Sequence, residues 1–158
     1  MLHNFTIKNN KLFIGGVSAE DLVAKYGSPL YVYDAEIIRR QYKIFVDSIS
    51  YPRLKVHYTP KTNNNPEILK LLRKIGASVE VVSKGGVILA LSVGYKASDI
   101  LYSCSNITTD EMQFLIDRNI IVNLDSLTQV RKYGELNPGG KVSIRINQGI
   151  GGGGHKHV

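Results

Sequence analysis

The chain has 158 residues, of which 43% are hydrophobic and 21% charged, the balance of a soluble globular domain and not of a disordered segment. The net charge of +7 comes from 20 basic and 13 acidic residues, with the basic residues scattered in pairs such as Arg39-Arg40 and Arg131-Lys132. Because no long basic run with interleaved aromatic residues is present, no nucleic-acid partner is expected. Residues 1–10 lack a signal-peptide pattern and no apolar run approaches the roughly 18 residues that span a bilayer, which predicts a cytoplasmic protein without a membrane partner.

Residues 1–27 are predicted to form a hairpin followed by a helix, an appendage to the rest of the chain. Apolar residues alternate on both sides of the polar turn at residues 8–11, a pattern typical of two short antiparallel strands. Ser18 and the acidic residues after it provide a helix N-cap and first turn, and Gly27 is expected to end that helix.

The next segment predicts a strand and then a longer helix. Residues 30–33 are apolar or aromatic, as in a strand. From Asp34 onward, apolar residues recur at steps of four, three and four, the spacing of one helical face, at Ile38, Tyr42, Phe45 and Ile49. This helix is expected to end before Pro52.

A repeat of strand and helix begins near residue 54. Strand-like runs start near Leu54, Ser78, Asp99, Ile120 and Lys141, at intervals of 21 to 24 residues. Helix signals lie between them, such as Asn65 as a cap before Pro66, so successive strands should be parallel. The even repeat favours a (β/α)8 barrel over an open doubly wound sheet, and no glycine-rich turn of the dinucleotide-binding kind follows the first strand.

The repeat is too short for a closed barrel, which needs eight strands and typically about 250 residues. With residues 30–33 counted as the first strand, the chain reaches only the sixth strand. We therefore expect an α/β fold in which residues 28–158 form the N-terminal part of a truncated TIM barrel, about its first five to six βα units.

Polar residues that end the apolar strands are the candidates for function, because the carboxyl ends of barrel strands meet at one rim. They are Lys61, Ser83, Cys104 to Asn106, Asp125, Ser126, Arg145 and Asn147. A desolvated lysine near other cations becomes a nucleophile that forms a Schiff base with an aldehyde cofactor, although position alone favours an ordinary surface role for Lys61. Arg145 interrupts an apolar strand and calls for an acidic partner such as Glu80; the alternative is that both charges face solvent.

Histidine and cysteine residues give weaker signals. His57 lies within a strand and is interpreted as a core histidine. His155 and His157 are one residue apart but lack a third ligand at a recognisable spacing, so no metal site is predicted. Cys104, the single cysteine, ends an apolar run and is interpreted as a small buried hydrophobe.

Six motifs agree in order and spacing with one known family. They are Tyr26 to Asp34, Tyr58 to Asn63, Val81 to Gly86, Asn123 to Leu127, Arg145 to Asn147 and Gly151 to Val158. They resemble the pyridoxal-phosphate-dependent decarboxylases of the alanine-racemase-like barrel class, the diaminopimelate decarboxylase family in particular. The resemblance implies that Lys61, in a segment similar to the family's Tyr-Ala-x-Lys-Ala-Asn motif, holds pyridoxal 5'-phosphate as a Schiff base. It also implies that Glu80, where the family usually has aspartate, and Arg145 bind the cofactor as a charge pair.

The implied activity is decarboxylation of an amino-acid substrate, meso-2,6-diaminopimelate, to L-lysine and CO2, the last step of lysine biosynthesis. The alternatives are a related ornithine, arginine or carboxyspermidine decarboxylase, and a non-catalytic relic or cofactor-binding module. The sequence departs from the family pattern at Thr59, Thr62, Gly86, Gln148 and Gly154. The family's glycine-rich phosphate loop and C-terminal β-domain are not represented, so we expect a fragment of a homodimeric enzyme, inactive by itself, with residues 1–27 attached to the absent β-domain.

Overall fold

The computed structural model describes residues 4–146 and 149. These residues form a three-stranded antiparallel sheet near the N-terminus and a five-stranded parallel sheet with helices between its strands. Among them, no helix has both the length and the apolar character that crossing a membrane requires.

The N-terminal sheet consists of β1 (Phe5–Lys8), β2 (Lys11–Ile14) and β3 (Val17–Ser18), in that order. Asn9 and Asn10 have φ values of 50° and 60°, the left-handed conformation that a tight two-residue hairpin turn requires and that asparagine tolerates. The predicted hairpin is confirmed, and β3 adds a strand that the sequence pattern did not indicate. Ser18 caps α1 (Ala19–Tyr26), and Gly27, with a φ of 83°, ends it.

Asp34 joins the N-terminal sheet to the next helix, α2 (Ala35–Asp47). Its Oδ1 accepts hydrogen bonds from the backbone N–H groups of Glu36 and Ile37, and its Oδ2 accepts one from Asn4 Nδ2 at 2.9 Å. These donors, the Asn4 side chain first, hold the pKa of the Asp34 carboxyl below its usual range. Gly15 permits this contact, because a Cβ atom there would lie 2.8 Å from Asp34 Oδ2.

The strand expected at residues 30–33 is wrong, because this segment has no regular secondary structure. Tyr31 is 87% exposed and Tyr33 is 55% exposed. A strand needs a hydrogen-bonded neighbour, and the parallel sheet begins at His57 without adding this segment to its edge. The apolar composition of residues 30–33 does not show whether another strand is available to pair with them.

The second sheet is entirely parallel, with its strands in sequence order. Its strands are β4 (His57–Tyr58), β5 (Ser78–Val81), β6 (Ile100–Ser103), β7 (Ile121–Leu124) and β8 (Ser143–Ile144). The helices that follow the first four are α3 (Pro66–Lys74), α4 (Lys84–Ser92), α5 (Thr109–Ile116) and α6 (Leu127–Leu136). The strands start 21 or 22 residues apart, at residues 57, 78, 100, 121 and 143, which confirms the repeat with five strands instead of six.

The two faces of the parallel sheet differ in what covers them. One face carries Val79 and Val81, aligned with Ile100 and Tyr102 of β6, and it packs against the helices with each of these side chains at most 2% exposed. This contact forms the main hydrophobic core. The opposite face carries Glu80, which is only partly buried. The helices leave this face open, and Glu80 lies there beside the apolar Leu101 and Ile121 of the neighbouring strands.

Candidate active site

The loop after β4 presents Lys61 at the carboxyl end of the parallel sheet. Tyr58 Oη donates to the carbonyl oxygen of Asn63 at 2.9 Å, and Thr62 Oγ1 donates to the carbonyl oxygen of Thr59 at 2.9 Å. Pro60 is buried, whereas Lys61 is exposed. The loop is thus closed by its own hydrogen bonds, and Pro60 anchors it while the Lys61 amine remains accessible.

Lys61 lines a cleft of about 400 Å³ between this loop and the start of α4. The polar lining of the cleft includes Thr59, Asn64, Glu80 and Ser83. Within the described residues, Lys61 and Glu80 are the one basic and the one acidic side chain of this lining. The fold therefore brings two of the three predicted cofactor-binding residues into one cleft.

Glu80 reaches this cleft from the middle of β5. The pairing of Tyr58 with Val79 places the next residues along the two strands, Thr59 and Glu80, side by side. Thr59 Oγ1 donates to Glu80 Oε2 at 3.4 Å, and both residues are partly buried. The contact of Thr59 with Glu80 was not predicted, because it depends on the register between strands 21 residues apart.

The predicted charge pair of Glu80 with Arg145 is not formed among the described residues, and their joint role at the cofactor stays a prediction. No ion pair joins them within residues 4–146, where both are described. Arg145 follows β8 and donates its backbone N–H to the carbonyl of Leu124 at 2.8 Å. Its strand lies three positions from β5 in the parallel sheet, and the Arg145 residue is exposed.

Ser83 and Gly86 shape the side of the cleft formed by α4. Ser83 caps the helix, since its Oγ accepts a hydrogen bond from Gly86 N at 3.1 Å. A Cβ atom at Gly86 would lie 3.1 Å from the Cβ of Val81, which is 2% exposed. A larger residue at position 86 would therefore require Val81 to move.

The remaining rim residues serve the fold. Cys104, predicted to be buried, is only partly buried and packs against the core, and Ser126 caps α6. Gln129, which the sequence pattern did not single out, is 7% exposed, and its side chain donates to the carbonyl oxygen of Ser105 and accepts from the backbone N–H of Asp125. It ties two rim loops together. Asn147, Gln148, Gly154, His155 and His157 lie outside the described residues.

The cleft suits the aldehyde end of a pyridoxal cofactor. Such a group needs a primary amine for covalent attachment and fixed polar groups around that bond. Lys61 supplies an accessible amine, and Glu80 supplies a carboxylate in the same space. The described part of the lining contains no second cation to hold a phosphate, so the fit covers one end of the cofactor.

Fold and cleft together indicate a pyridoxal-binding domain of the barrel type. A family model described as "Pyridoxal-dependent decarboxylase, pyridoxal binding domain" matches residues 35–158, and the chain belongs to that family. This match confirms the resemblance drawn from the motifs and the expected pyridoxal cofactor.

Individual relatives place the chain near the diaminopimelate decarboxylases. The diaminopimelate decarboxylase of Methanothermobacter thermautotrophicus is 37% identical over 149 residues, 92% of this chain and 35% of that protein. The structure of the M. jannaschii diaminopimelate decarboxylase in complex with L-lysine matches with a TM-score of 0.80 at 28% identity, over 86% of this chain and 33% of that one.

A more distant structure shares the fold. The lysine/ornithine decarboxylase of Vibrio vulnificus, complexed with putrescine, matches with a TM-score of 0.73 at 23% identity over 80% of this chain and 35% of that one. These neighbours confirm that the parallel sheet is part of a barrel. The chain spans about a third of the length of the curated relatives it matches.

Proposed function

We propose that the complete protein decarboxylates meso-2,6-diaminopimelate to L-lysine and CO2, the last step of lysine biosynthesis, with pyridoxal 5'-phosphate attached to Lys61. The observation that carries this proposal is the accessible Lys61 amine at the carboxyl end of the parallel sheet, in one cleft with Glu80. The substrate assignment is supported by curated relatives that are diaminopimelate decarboxylases.

Each proposed site residue has a distinct task. When bound, the cofactor supplies an electron-poor ring that accepts the electron pair released as CO2 leaves. Lys61 would hold the cofactor at the rim through its Nζ, which condenses with the aldehyde carbon and releases water. Glu80 places a negative charge beside this bond and favours a positive charge there. Arg145, at the edge of the described sheet, is proposed to bind the cofactor together with Glu80, as the family resemblance implies.

The rest of the site is proposed to come from further chain. Within the described residues, β4 and β8 each have a strand neighbour on one side only, as expected of an incomplete barrel. We assign residues 28–158 to the N-terminal part of the cofactor-binding barrel and residues 1–27 to an appendage of a further β-domain. The exposed Phe5 and Ile7, at 54% and 77%, support a covering partner for that sheet. A homodimer in the cytoplasm is the proposed state of the complete protein.

Two alternative functions are to be distinguished from the decarboxylation of diaminopimelate. A related decarboxylase for ornithine, arginine or carboxyspermidine would share this fold, as the Vibrio vulnificus structure illustrates. A non-catalytic cofactor-binding module is favoured by Gly86, which stands where the family has an active-site glutamate and lies too close to Val81 for a side chain to enter without movement.

Covalent labelling tests the role of Lys61. The complete polypeptide encoded by the gene is incubated with pyridoxal 5'-phosphate and reduced with borohydride, and peptide mass spectrometry locates the pyridoxyl group. We expect the label on Lys61 and its loss in Lys61→Ala. The matched control is Lys43→Ala, which removes an exposed lysine paired with Asp47 on α2 and should keep the label. Equal labelling of the Lys61→Ala protein would refute the assignment.

Substrate assays separate the three functions. CO2 release is measured from diaminopimelate, ornithine, arginine and carboxyspermidine with the same labelled preparation. Preferred release from diaminopimelate supports the proposal, whereas a preference for another substrate would replace it. Full labelling of Lys61 without release from any of them would identify a cofactor-binding module.

A further inference from the structure

The side chain of Thr59 contacts the one carboxylate of the Lys61 cleft. Its Oγ1 donates to Glu80 Oε2 at 3.4 Å across the β4–β5 pair. Thr59 lies two residues before Lys61 and lines the same cleft. The hydrogen bond therefore links the lysine loop to the acidic residue on the neighbouring strand.

The two side chains differ in stiffness. Glutamate has three rotatable side-chain bonds, so an unrestrained Glu80 carboxylate on a partly exposed face could turn toward solvent. Threonine is β-branched and has few rotamers, which makes its hydroxyl a well-placed donor. Thr59 is accordingly suited to hold the more flexible Glu80 in one orientation.

The other titratable groups near this pair have different partners. His57, on the same face of β4 as Thr59, has its Nδ1 3.4 Å from the carbonyl oxygen of Val79. Lys84, at the start of α4, has its Nζ 4.6 Å from the centre of the Phe114 ring. Within the described residues, Thr59 is thus the side chain that hydrogen-bonds to the Glu80 carboxylate, and Lys61 is the cation that shares its cleft.

We propose that Thr59 is a positioning residue whose hydroxyl aims the Glu80 carboxylate at Lys61, so that its negative charge favours the positively charged form of the Schiff base between Lys61 and a pyridoxal-type aldehyde. This inference rests on the proposed function of Lys61. Thr59 touches neither the cofactor nor the substrate in this role and acts through Glu80.

The test uses two readouts on the complete protein loaded with pyridoxal 5'-phosphate. Borohydride trapping and mass spectrometry measure how much Lys61 is labelled. The absorbance spectrum at one mildly alkaline pH measures the ratio of charged to neutral Schiff base. Thr59→Val, which replaces the hydroxyl by a methyl group of similar shape, should lower that ratio about threefold at unchanged labelling, the loss expected for one hydrogen bond of ordinary strength.

Two further variants separate positioning from a general structural effect. Thr59→Ser keeps a hydroxyl and should restore the ratio. In a Glu80→Gln background the same Thr59→Val change should have no further effect, because the charge it positions is gone. Thr59→Ala removes the hydroxyl without adding bulk and replaces Thr59→Val if the latter fails to fold, as judged by circular dichroism.

The possible results are distinct. Absence of a Lys61 label in the unmodified protein would overturn the proposed function, and the role of Thr59 with it. A Lys61 label with the same charged fraction in Thr59→Val as in the unmodified protein would overturn the role of Thr59 alone. So would an undiminished effect of Thr59→Val in the Glu80→Gln background.

Discussion

Tyr102 and Tyr95 are two buried tyrosines that should respond in opposite ways to replacement by phenylalanine. Tyr102 is 1% exposed, and within the described residues its hydroxyl makes no hydrogen bond of good geometry, although the side chains of Cys104 and Glu111 lie near it. Tyr95 is 4% exposed, and its hydroxyl donates to the carbonyl oxygen of Leu69 at 3.3 Å. Both substitutions remove a phenolic oxygen from a site of similar burial, so the two sites differ mainly in whether that hydroxyl has a hydrogen-bond partner.

The magnitudes follow from the cost of an unpaired hydroxyl. A buried polar group without a partner costs about 1–3 kcal/mol, whereas a formed hydrogen bond contributes about 0.5–1.5 kcal/mol. Tyr102→Phe keeps the ring in the core and removes the cost, so it should raise the free energy of unfolding by about 1 kcal/mol. Tyr95→Phe loses a bond and should lower that free energy by about 1 kcal/mol.

Urea unfolding at neutral pH measures both changes, and alkaline pH adds a second check. Burial raises the pKa of Tyr102 above its ordinary value of 10.0 and raises the pKa of Tyr95 to about 12. The folded protein then holds the phenolic protons more tightly than the unfolded chain, so this stability is complete below pH 10.0 and is lost as the pH rises toward the folded-state pKa. Each phenylalanine variant should lose less stability above that pH. A Tyr102→Phe protein less stable than the unmodified one at neutral pH would show that the hydroxyl is paired, and would refute this reasoning.

Three further predictions concern helix ends and sheet edges. Asn65→Ala removes the acceptor of the Glu67 N–H at 2.9 Å and should lower the free energy of unfolding by about 1 kcal/mol, while Asn65→Asp, which keeps an acceptor, should not; equal losses in urea titrations would contradict this capping role. The lowered pKa of Asp34 contributes stability that is present above pH 3.8 and is lost as the pH falls through the folded-state pKa. Asp34→Asn should therefore reduce the fall in the free energy of unfolding over that pH range. An unchanged dependence of that free energy on pH would argue against this contribution. The 158-residue chain alone should self-associate in sedimentation experiments through the edges of β4 and β8, which have no second strand neighbour within the described residues; a cooperatively melting monomer would count against this expectation.

Local features of the fold were predictable from the sequence because their causes are local. The caps at Ser18 and Asn65 were predictable from the sequence, since each of these side chains accepts a hydrogen bond from a backbone N–H two or three residues later in the chain. The strand–helix repeat was also predictable from the sequence, because each helix has apolar residues along one face and each strand is a nearly continuous run of apolar residues. The first strand of the repeat is shorter than the sequence pattern indicates: its apolar run starts near Leu54, but β4 comprises only His57–Tyr58, and among the described residues it pairs only with β5.

The sequence by itself determined that Lys61 lies in the loop after the first strand of a parallel repeat, because the order of strands and loops is the order of their residues in the chain. Only the tertiary structure decided which residues share the cleft with Lys61. The register of β4 against β5 places Thr59 beside Glu80, while three strand positions separate Glu80 from Arg145. The tertiary structure also leaves residues 30–33 outside the sheet. The physical reason is that sheet hydrogen bonds join residues far apart in sequence, so register and neighbours arise from the packing of the whole fold.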